Sequence, residues 1–240
     1  MKRARRQRLQ QLGGLCVAAW TASITTSSAA AQGRTQTRVY DQLGAFSAVV
    51  LDTTADFKLR QGNENRVTVT AEPKVLERIA VEQQQGRLRV FAKAGYQTQL
   101  PLVVEIVFRE LSRLELNGSG DVELQGLRGA RLDLVVNSSG SIALRRLNLK
   151  ELAADIGGSG SVVADGETVA QRVSVGGSGS YDGEALKSVE AEVSISGAGD
   201  AVVHAAKQLA VRIDGAGSVR YRGDPQVRKS ISGVGSVEKV

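Results

Sequence analysis

The sequence has few of the residues that support disulfide, thiol and stacking chemistry. Its 240 residues include one cysteine, Cys16, and one tryptophan, Trp20, and aromatic residues make up 4% of the chain. Both of these residues lie ahead of a predicted cleavage site, so the remaining chain has no cysteine and forms no disulfide. The shortage of aromatic rings argues against a groove in which sugars or bases stack on side chains.

Residues 1–31 have the composition of a secretory signal peptide. A basic head that includes Lys2 and Arg8 precedes an uncharged stretch from Leu12 to Ile24, and small residues lead to Ala29-Ala30-Ala31. This pattern predicts cleavage near Ala31 and export. The apolar stretch is too short and too rich in Gly, Ser and Thr to remain as a stable membrane anchor. Leu15 argues against lipid attachment at Cys16, because such sites need a small preceding residue.

The basic character of the chain comes largely from this segment. The formal net charge is +6, and the first 31 residues hold five basic residues and no acidic ones. Without them, 26 basic and 25 acidic residues leave a net charge of +1. Such a balance does not indicate nucleic acid as a partner.

A glycine turn returns seven times in the second half of the chain, first as Gly118-Ser119-Gly120. The second glycine of each copy, or its equivalent, lies at Gly120, Gly140, Gly160, Gly179, Gly199, Gly217 and Gly235. The spacing of 18 to 20 residues is typical of stacked repeats. We attribute the glycines to backbone angles at each turn that other residues adopt only at a cost.

Two positions keep their apolar character in every repeat. The position four residues before the second glycine is Leu, Val or Ile throughout, and the position two residues after it is also apolar throughout. Alternation on both sides of the turn predicts two short strands, each with one buried face. The sequence therefore predicts an all-β parallel β-solenoid of seven coils over residues 111–240. An antiparallel β meander, in which each glycine segment closes a hairpin, is the alternative.

Residues 32–110 also have a strand-like pattern, with short apolar runs separated by polar turns such as Gln61–Asn65 and Gln84–Gly86. We expect this N-terminal β region to pack on the solenoid or to open it.

The ordered set of segments resembles one family. These are Phe46–Leu51, Gln61-Gly62, Val67–Val69, Gly86–Leu88 and Leu114–Asp121, followed by the serial Gly-Ser-Gly turns. Together they are similar to the "putative auto-transporter adhesin, head GIN domain" proteins over residues 39 to 240. The resemblance implies an exported bacterial protein with a right-handed parallel β-helix, and it brings no catalytic residues. Ser138 departs from the pattern by replacing a turn glycine.

The glycine turns also raise the question of ligand sites. Asp121 and Asp200 follow two of the turns, which suggests calcium binding, but they lie four coils apart and serines occupy the copies between them. We expect both carboxylates to accept hydrogen bonds from their own turns, and we predict no metal or cofactor site. No copy is followed by Lys-Ser or Lys-Thr, so the context of a phosphate-binding loop is absent.

One column of the predicted stack carries candidate catalytic residues. Asp165 and Glu184 occupy equivalent positions in successive coils, with Arg145 before them and His204, the only histidine, after them. Two neighbouring carboxylates are what acid–base hydrolysis of a polysaccharide requires. The alternative is a solvated ladder in which Arg145 pairs with Asp165 and Glu184 pairs with His204.

From these observations we expect a non-enzymatic exported protein, located in the periplasm or at the cell surface, that binds a protein or polysaccharide ligand. A carbohydrate-active enzyme using Asp165, Glu184 and His204 is the second hypothesis. Self-association through the ends of the solenoid is the third. Lys229 and Lys239 replace apolar residues in the last copy alone, which is typical of a strand edge protected by charge.

Overall fold

The computed structural model describes the backbone of Ser23–Thr25 and residues 35–240 in full. The predicted signal peptide, residues 1–31, lies outside the described residues apart from those three. Of the residues that the structure describes, 65% lie in strands and 2% in helix, which confirms the all-β prediction. Among the described residues, the one helix, α1, spans Pro73–Leu76. No helix in this part of the chain has the length and apolar character needed to cross a membrane.

The strands are numbered in chain order. They are β1 (Ser23–Thr25), β2 (Gln36–Tyr40), β3 (Ala48–Asp52), β4 (Asp56–Gln61), β5 (Arg66–Ala71), β6 (Ile79–Gln84), β7 (Arg87–Ala92), β8 (Val103–Phe108), β9 (Arg113–Leu116), β10 (Asp121–Gln125), β11 (Arg128–Val136), β12 (Ser141–Ile156), β13 (Ser161–Val175), β14 (Ser180–Ile195), β15 (Asp200–Ile213), β16 (Ser218–Arg222), β17 (Gln226–Ile231) and β18 (Ser236–Lys239).

The long strands must bend into coils. If β12 were straight, its 16 residues would extend over about 50 Å at ~3.3 Å per residue. The chain nevertheless returns from Ile156 to Ser161, which lies beside Ser141, and five residues reach at most about 17 Å. Each coil therefore follows three sides: one segment after the glycine corner, a short third side, and one segment before the next corner.

Parallel pairing joins successive coils. Val122 lies opposite Ile142, and Ile142 lies opposite Val162. These segments, which follow each corner, form sheet A. Leu134 lies opposite Ala154, and Ala154 lies opposite Val173; these segments precede each corner and form sheet B. The structure is a β-solenoid of about six turns. The antiparallel meander is wrong, because the repeats pair in parallel and in register.

The first coils do not follow chain order. β7 and β8 pair in parallel with β3 and β4, and these in turn pair with β9 and β10. The coil formed by β3 and β4 therefore lies between two coils that come later in the chain. One is formed by β7 and β8, and the other, formed by β9 and β10, contains the first glycine turn. The strands of residues 32–110 thus contribute two rungs of the parallel stack.

Antiparallel strands cover the N-terminal end of the stack. On sheet A, β8 pairs with β5, β5 with β2, and β2 with β1. On sheet B, β7 pairs with β6. The helix α1 connects β5 to β6 and buries Val75 and Leu76. These strands and the helix cover the N-terminal end of the core, so that its apolar side chains are not left in contact with water.

The core is a set of apolar columns inside the coils. The two predicted columns are buried in the six copies from Leu116 to Ile213 and from Val122 to Val219, with side chains at most 2% exposed. In the last copy Ile231 is 39% exposed. The columns are buried because each rung covers the one before it, and no described rung lies beyond β17 and β18.

The corner glycines are required for a reason that differs from the predicted one. None of them has φ in the left-handed region; the glycines that do are Gly86, Gly126, Gly166 and Gly223. Instead, a Cβ atom added at Gly140 or Gly199 would lie within 3.0 Å of a carbonyl oxygen of the preceding corner. The prediction about backbone angles was wrong: glycine recurs because adjacent corners stack backbone on backbone, and this leaves no room for a side chain.

Charged residues occupy core columns in the last rung. Lys229 lies opposite the buried Val211, and Lys239 lies opposite Tyr221. Lys239 pairs with Asp224, and both residues of that pair are exposed. Lysines at these positions disfavour the addition of a further apolar rung, as charged residues on strand edges commonly do.

Candidate binding face

The outer face of sheet B carries a column of outward-facing residues that repeats every three rungs. We call it the charge column. From β9 onward, in order along the solenoid, its members are Arg113, Asp133, Ala153, Arg172, Glu192, Ala210 and Arg228. Each member lies directly opposite the next in the strand pairing, so the column has the order basic, acidic, small, basic, acidic, small, basic. Alternation with the buried column beside it keeps all seven on the outside.

Ion pairs fix the side chains along this face. Arg131 contacts Asp133 at 2.6 Å and Glu151 at 2.8 Å. Arg172 also pairs with Glu151 and lies 3.4 Å from Glu192. These arginine side chains are about half exposed, so each pair stabilises the fold by about 0–1 kcal/mol. The main effect of the pairs is to hold charged groups in a regular array.

The array continues at the N-terminal end of the face. Arg87 contacts Glu115 at 3.0 Å, and Arg89 contacts Asp52 at 2.5 Å. The Arg89 guanidinium also lies 4.6 Å from the centre of the Phe91 ring, a cation–π geometry.

The alanines of the charge column leave two depressions. The larger has a volume of about 430 Å³ and lies around Ala153, between the side chains of Asp133 and Arg172. The smaller, about 150 Å³, lies around Ala210 between Glu192 and Arg228. Both depressions are open to solvent and lined by charged, polar and small side chains together with a few aliphatic ones, such as Val135 and Leu209. They suit contacts with a polar surface or polymer better than enclosure of a small apolar ligand.

Polar side chains also form a ladder beside the corners. The Asn137 side chain donates to Asn117 at 2.9 Å, and the Asn117 side chain donates to Asp52 at 2.6 Å. Further along, the Ser232 hydroxyl donates to Asp214. Hydrogen bonds to Asp214 lower the pKa of its carboxyl below the usual value. The one from Ser232 has the largest effect, and the one from Arg212 has the next largest.

The candidate catalytic residues are not brought together by the strand register. Asp165 lies opposite Ala185, because the pairing of β13 with β14 slips between Val163 and Asp165. His204 lies opposite Lys187, because the pairing of β14 with β15 slips between Gly183 and Lys187. The predicted pair of Arg145 with Asp165 is confirmed at 3.1 Å. The predicted pair of Glu184 with His204 is wrong, since Glu184 pairs with Arg222. A role for Asp165, Glu184 and His204 in acid–base catalysis stays a prediction.

The turn aspartates bond to the next coil. Asp121 accepts a hydrogen bond from the backbone N–H of Ser141 at 3.3 Å, and Asp200 accepts one from Ser218 at 2.9 Å. The expectation of bonds within their own turns was wrong, because stacking places the next corner above each carboxylate. In residues 35–240, no three or more His, Cys, Asp or Glu side chains are grouped to hold a metal ion.

A buried polar network was not found from the sequence. The Tyr181 hydroxyl donates to Gln171 Oε1 at 3.0 Å, and Gln171 Nε2 donates to Ser188 Oγ at 2.9 Å and to the His204 carbonyl at 3.1 Å. Tyr181 lies two residues after Gly179, in one of the two predicted apolar columns, and it is 1% exposed. Gly183 leaves the space that the tyrosine ring occupies. The signal in the sequence was Gln171, a polar residue in a column that is otherwise apolar.

Residues 45–225 match the sequence model of a family described as "Putative auto-transporter adhesin, head GIN domain". The chain belongs to this family. The predicted resemblance is confirmed, and the head GIN domain includes strands β3 and β4 as well as most of the glycine repeats. No curated protein matches the sequence.

Solved structures share the fold of this head GIN domain. A Bacteroides fragilis protein described as a "putative adhesin" has a TM-score of 0.82 at 21% identity, over 87% of this chain and 98% of its own. A "putative lipid binding protein" from Parabacteroides distasonis has a TM-score of 0.68 at 22% identity, over 87% and 97%. A "putative adhesin" from Parabacteroides merdae has a TM-score of 0.68 at 21% identity over the same shares. At these identities the likeness is one of fold.

Proposed function

We propose that this protein is a non-enzymatic, exported adhesin-like protein that binds through the outer face of sheet B. Membership of the head GIN family supports an adhesive role, and the composition of residues 1–31 supports export. The observation that carries the assignment to this face is the charge column, in which five of seven aligned rungs present charges in a regular order.

The face is suited to adhesion for a physical reason. Its backbone is fixed by parallel pairing on both sides of each rung, and its side chains are restrained by ion pairs such as Arg131–Glu151. A ligand therefore meets groups that are already ordered, which reduces the entropy lost on binding. Contacts spread over several rungs give avidity even where each one is weak.

Hydrolysis has less support. Asp165 and Glu184 each pair with an arginine, Arg145 and Arg222 respectively. Each carboxylate is thus engaged by its own arginine, and the strand register places Ala185 rather than Glu184 opposite Asp165.

The proposal is tested by coating beads with the full chain. The probes are a panel of polysaccharides, purified bacterial cell-envelope fragments, and beads that carry the same chain. We expect the wild type to adhere to at least one probe, and a variant with Arg131→Glu and Arg172→Glu to lose about 90% of that adhesion. Both changes reverse charge within the array, so a surface complementary to it is repelled.

The matched control carries Lys187→Glu on the third side of the coil and Arg220→Glu on sheet A, two exposed residues that make the same change in net charge away from sheet B. It should adhere like the wild type. Adhesion that persists in the Arg131/Arg172 variant, or that is lost equally in the control, overturns the assignment to this face. Absence of adhesion to all three probes overturns the proposed function itself.

A further inference from the structure

We infer that the ligand of this face is a second copy of the same chain, bound face to face with the two solenoid axes antiparallel. This inference rests on the proposed function, because it names the partner of the same surface. The argument comes from the order of charges along the face, which is complementary to itself in one arrangement.

A two-fold axis can lie in the interface, across the solenoid, between the rungs of Arg172 and Glu192. The operation reverses the order of rungs and places the charge column of one copy opposite that of the other. Arg172 then faces Glu192 of the second copy, Asp133 faces Arg228, and Ala153 faces Ala210. By symmetry each contact occurs twice. Every charge from Asp133 to Arg228 meets its opposite, and the depression at Ala153 faces the depression at Ala210.

The flanking columns agree with this arrangement. On the corner side of the charge column, Asp155 faces Arg212 of the second copy, and Ser174 faces Ser194. On the other side, Glu151 faces Gln208. Three columns with different compositions thus meet without any like charges directly opposite each other, which is what a specific interface requires.

Other arrangements of two such faces bring like charges together. With parallel axes each rung faces itself, so Arg172 meets Arg172. Moving the antiparallel axis by one and a half rungs to lie on Ala153 places Glu151 opposite Glu151 and Asp155 opposite Asp155. Moving it the same distance the other way, onto Ala210, places Arg212 opposite Arg212. Like charges directly opposite each other destabilise a contact, so the column selects one register.

The contact is of the size of a weak, reversible interface. Six rungs at ~4.8 Å and strands of about six residues at ~3.3 Å cover about 29 by 20 Å, or about 1,200 Å² summed over both copies. This is the lower limit for specific interfaces. Since the contact consists largely of exposed charge pairs, we expect its affinity to fall about tenfold or more when the salt concentration rises from 0.05 to 1 M.

The test is sedimentation equilibrium of the full chain, of mass 25.3 kDa, at low salt. The wild type should approach twice this mass with increasing concentration. Arg172→Glu alone and Glu192→Arg alone should each weaken dimerisation at least about tenfold, because each places like charges opposite one another twice. An equimolar mixture of these two single variants should form a heterodimer. The introduced glutamate of one copy then faces the introduced arginine of the other, and the second symmetric contact keeps the native pair of Arg172 with Glu192.

The mixture distinguishes loss of a dimer contact from an effect on folding. In the mixture the compensating charge lies on the other chain, so it restores the contact between chains but cannot correct a folding defect within either variant. The control variant Lys187→Glu should dimerise like the wild type. A wild type that stays monomeric at low salt overturns the inference, and so does a dimer that survives both single reversals, which would place the contact elsewhere, for example at the rung of Lys229 and Lys239. In either case adhesion to polysaccharide or envelope fragments leaves the proposed function standing.

Discussion

Replacing Gly177 with alanine should lower the free energy of unfolding by about 3 kcal/mol or more, a large loss for a change of one methyl group. A Cβ atom at this position would lie within 3.0 Å of the carbonyl oxygens of Gly157 and Gly158 in the preceding corner. These are backbone atoms held in the parallel stack, so they cannot rotate away as a side chain would. The corner must separate from its neighbour, and the hydrogen bonds between the coils lengthen with it.

The adjacent residue supplies the matched control. Gly176 is also a glycine of the same corner, but the nearest atom to an added Cβ there is the Ser196 hydroxyl oxygen at 3.8 Å, an ordinary van der Waals separation. Its φ is also outside the left-handed region. We expect Gly176→Ala to change stability by no more than about 1 kcal/mol, with the reduced freedom of the unfolded chain acting in its favour.

Unfolding of the wild type and of both variants in urea is monitored by far-ultraviolet circular dichroism. The midpoints are compared on the condition that the unfolding free energy falls with urea concentration at the same slope in all three proteins. Equal midpoints for Gly177→Ala and Gly176→Ala would show that stacking of backbone on backbone does not explain the glycine column.

The second large effect concerns the polar network inside the coils. We expect Gln171→Leu and Tyr181→Phe each to cost about 1–3 kcal/mol, because each leaves a buried polar atom of the other residue without a partner. The double variant should cost clearly less than the sum, since it removes both groups. Leucine already occupies the equivalent position in the preceding coil, at Leu152, and two coils further on, at Leu209, and it is buried at both, so the column accepts it.

Burial is the largest reason that the pKa of Tyr181 lies well above its usual value, and the Asp182 carboxylate adds to the shift. The phenol therefore stays protonated in the folded protein when it ionises in the unfolded chain. Its contribution to stability is complete below the unfolded pKa of about 10 and decreases as the pH rises above it. Tyr181→Phe should weaken this alkaline loss of stability.

A double-mutant cycle measured by urea unfolding checks the network, with a coupling of about 1 kcal/mol or more expected between residues 171 and 181. Gln208→Leu, at an exposed position of the same sheet, is the control and should change stability by about 0.5 kcal/mol or less. Additive effects of the two core substitutions would mean that the hydrogen bond between them contributes nothing separable.

Much of the fold was accessible from the sequence because the relevant signals are local. The apolar columns that contain Leu116 and Val122 follow from alternation around each glycine turn, and a repeat that cannot bury its own stripe has to stack. The pair of Arg145 with Asp165 followed from the same spacing. The corner that contains Thr53 and Ala55 could not be predicted in this way. It stacks on Gly118 and Gly120, but it contains no glycine.

The register between coils along the third side also could not be predicted from the sequence. The repeats differ by one or two residues in length, and the pairing of β14 with β15 absorbs the difference between Gly183 and Lys187. A slip of this kind changes which residue lies opposite: His204 lies opposite Lys187, whereas a fixed count places it opposite Glu184. Sequence spacing predicts which side of a strand a residue occupies more reliably than which residue lies opposite it.

By itself, the sequence determined an all-β stack with a period of 18 to 20 residues, because each repeat contains the alternating apolar residues and the glycines that stacking requires. Only the tertiary structure decided which side chains meet: the insertion of the β3–β4 coil into the stack, the Tyr181–Gln171 network, and the ordered charges from Arg113 to Arg228. These depend on pairing between residues that are distant along the chain, and the packing of neighbouring coils fixes that pairing.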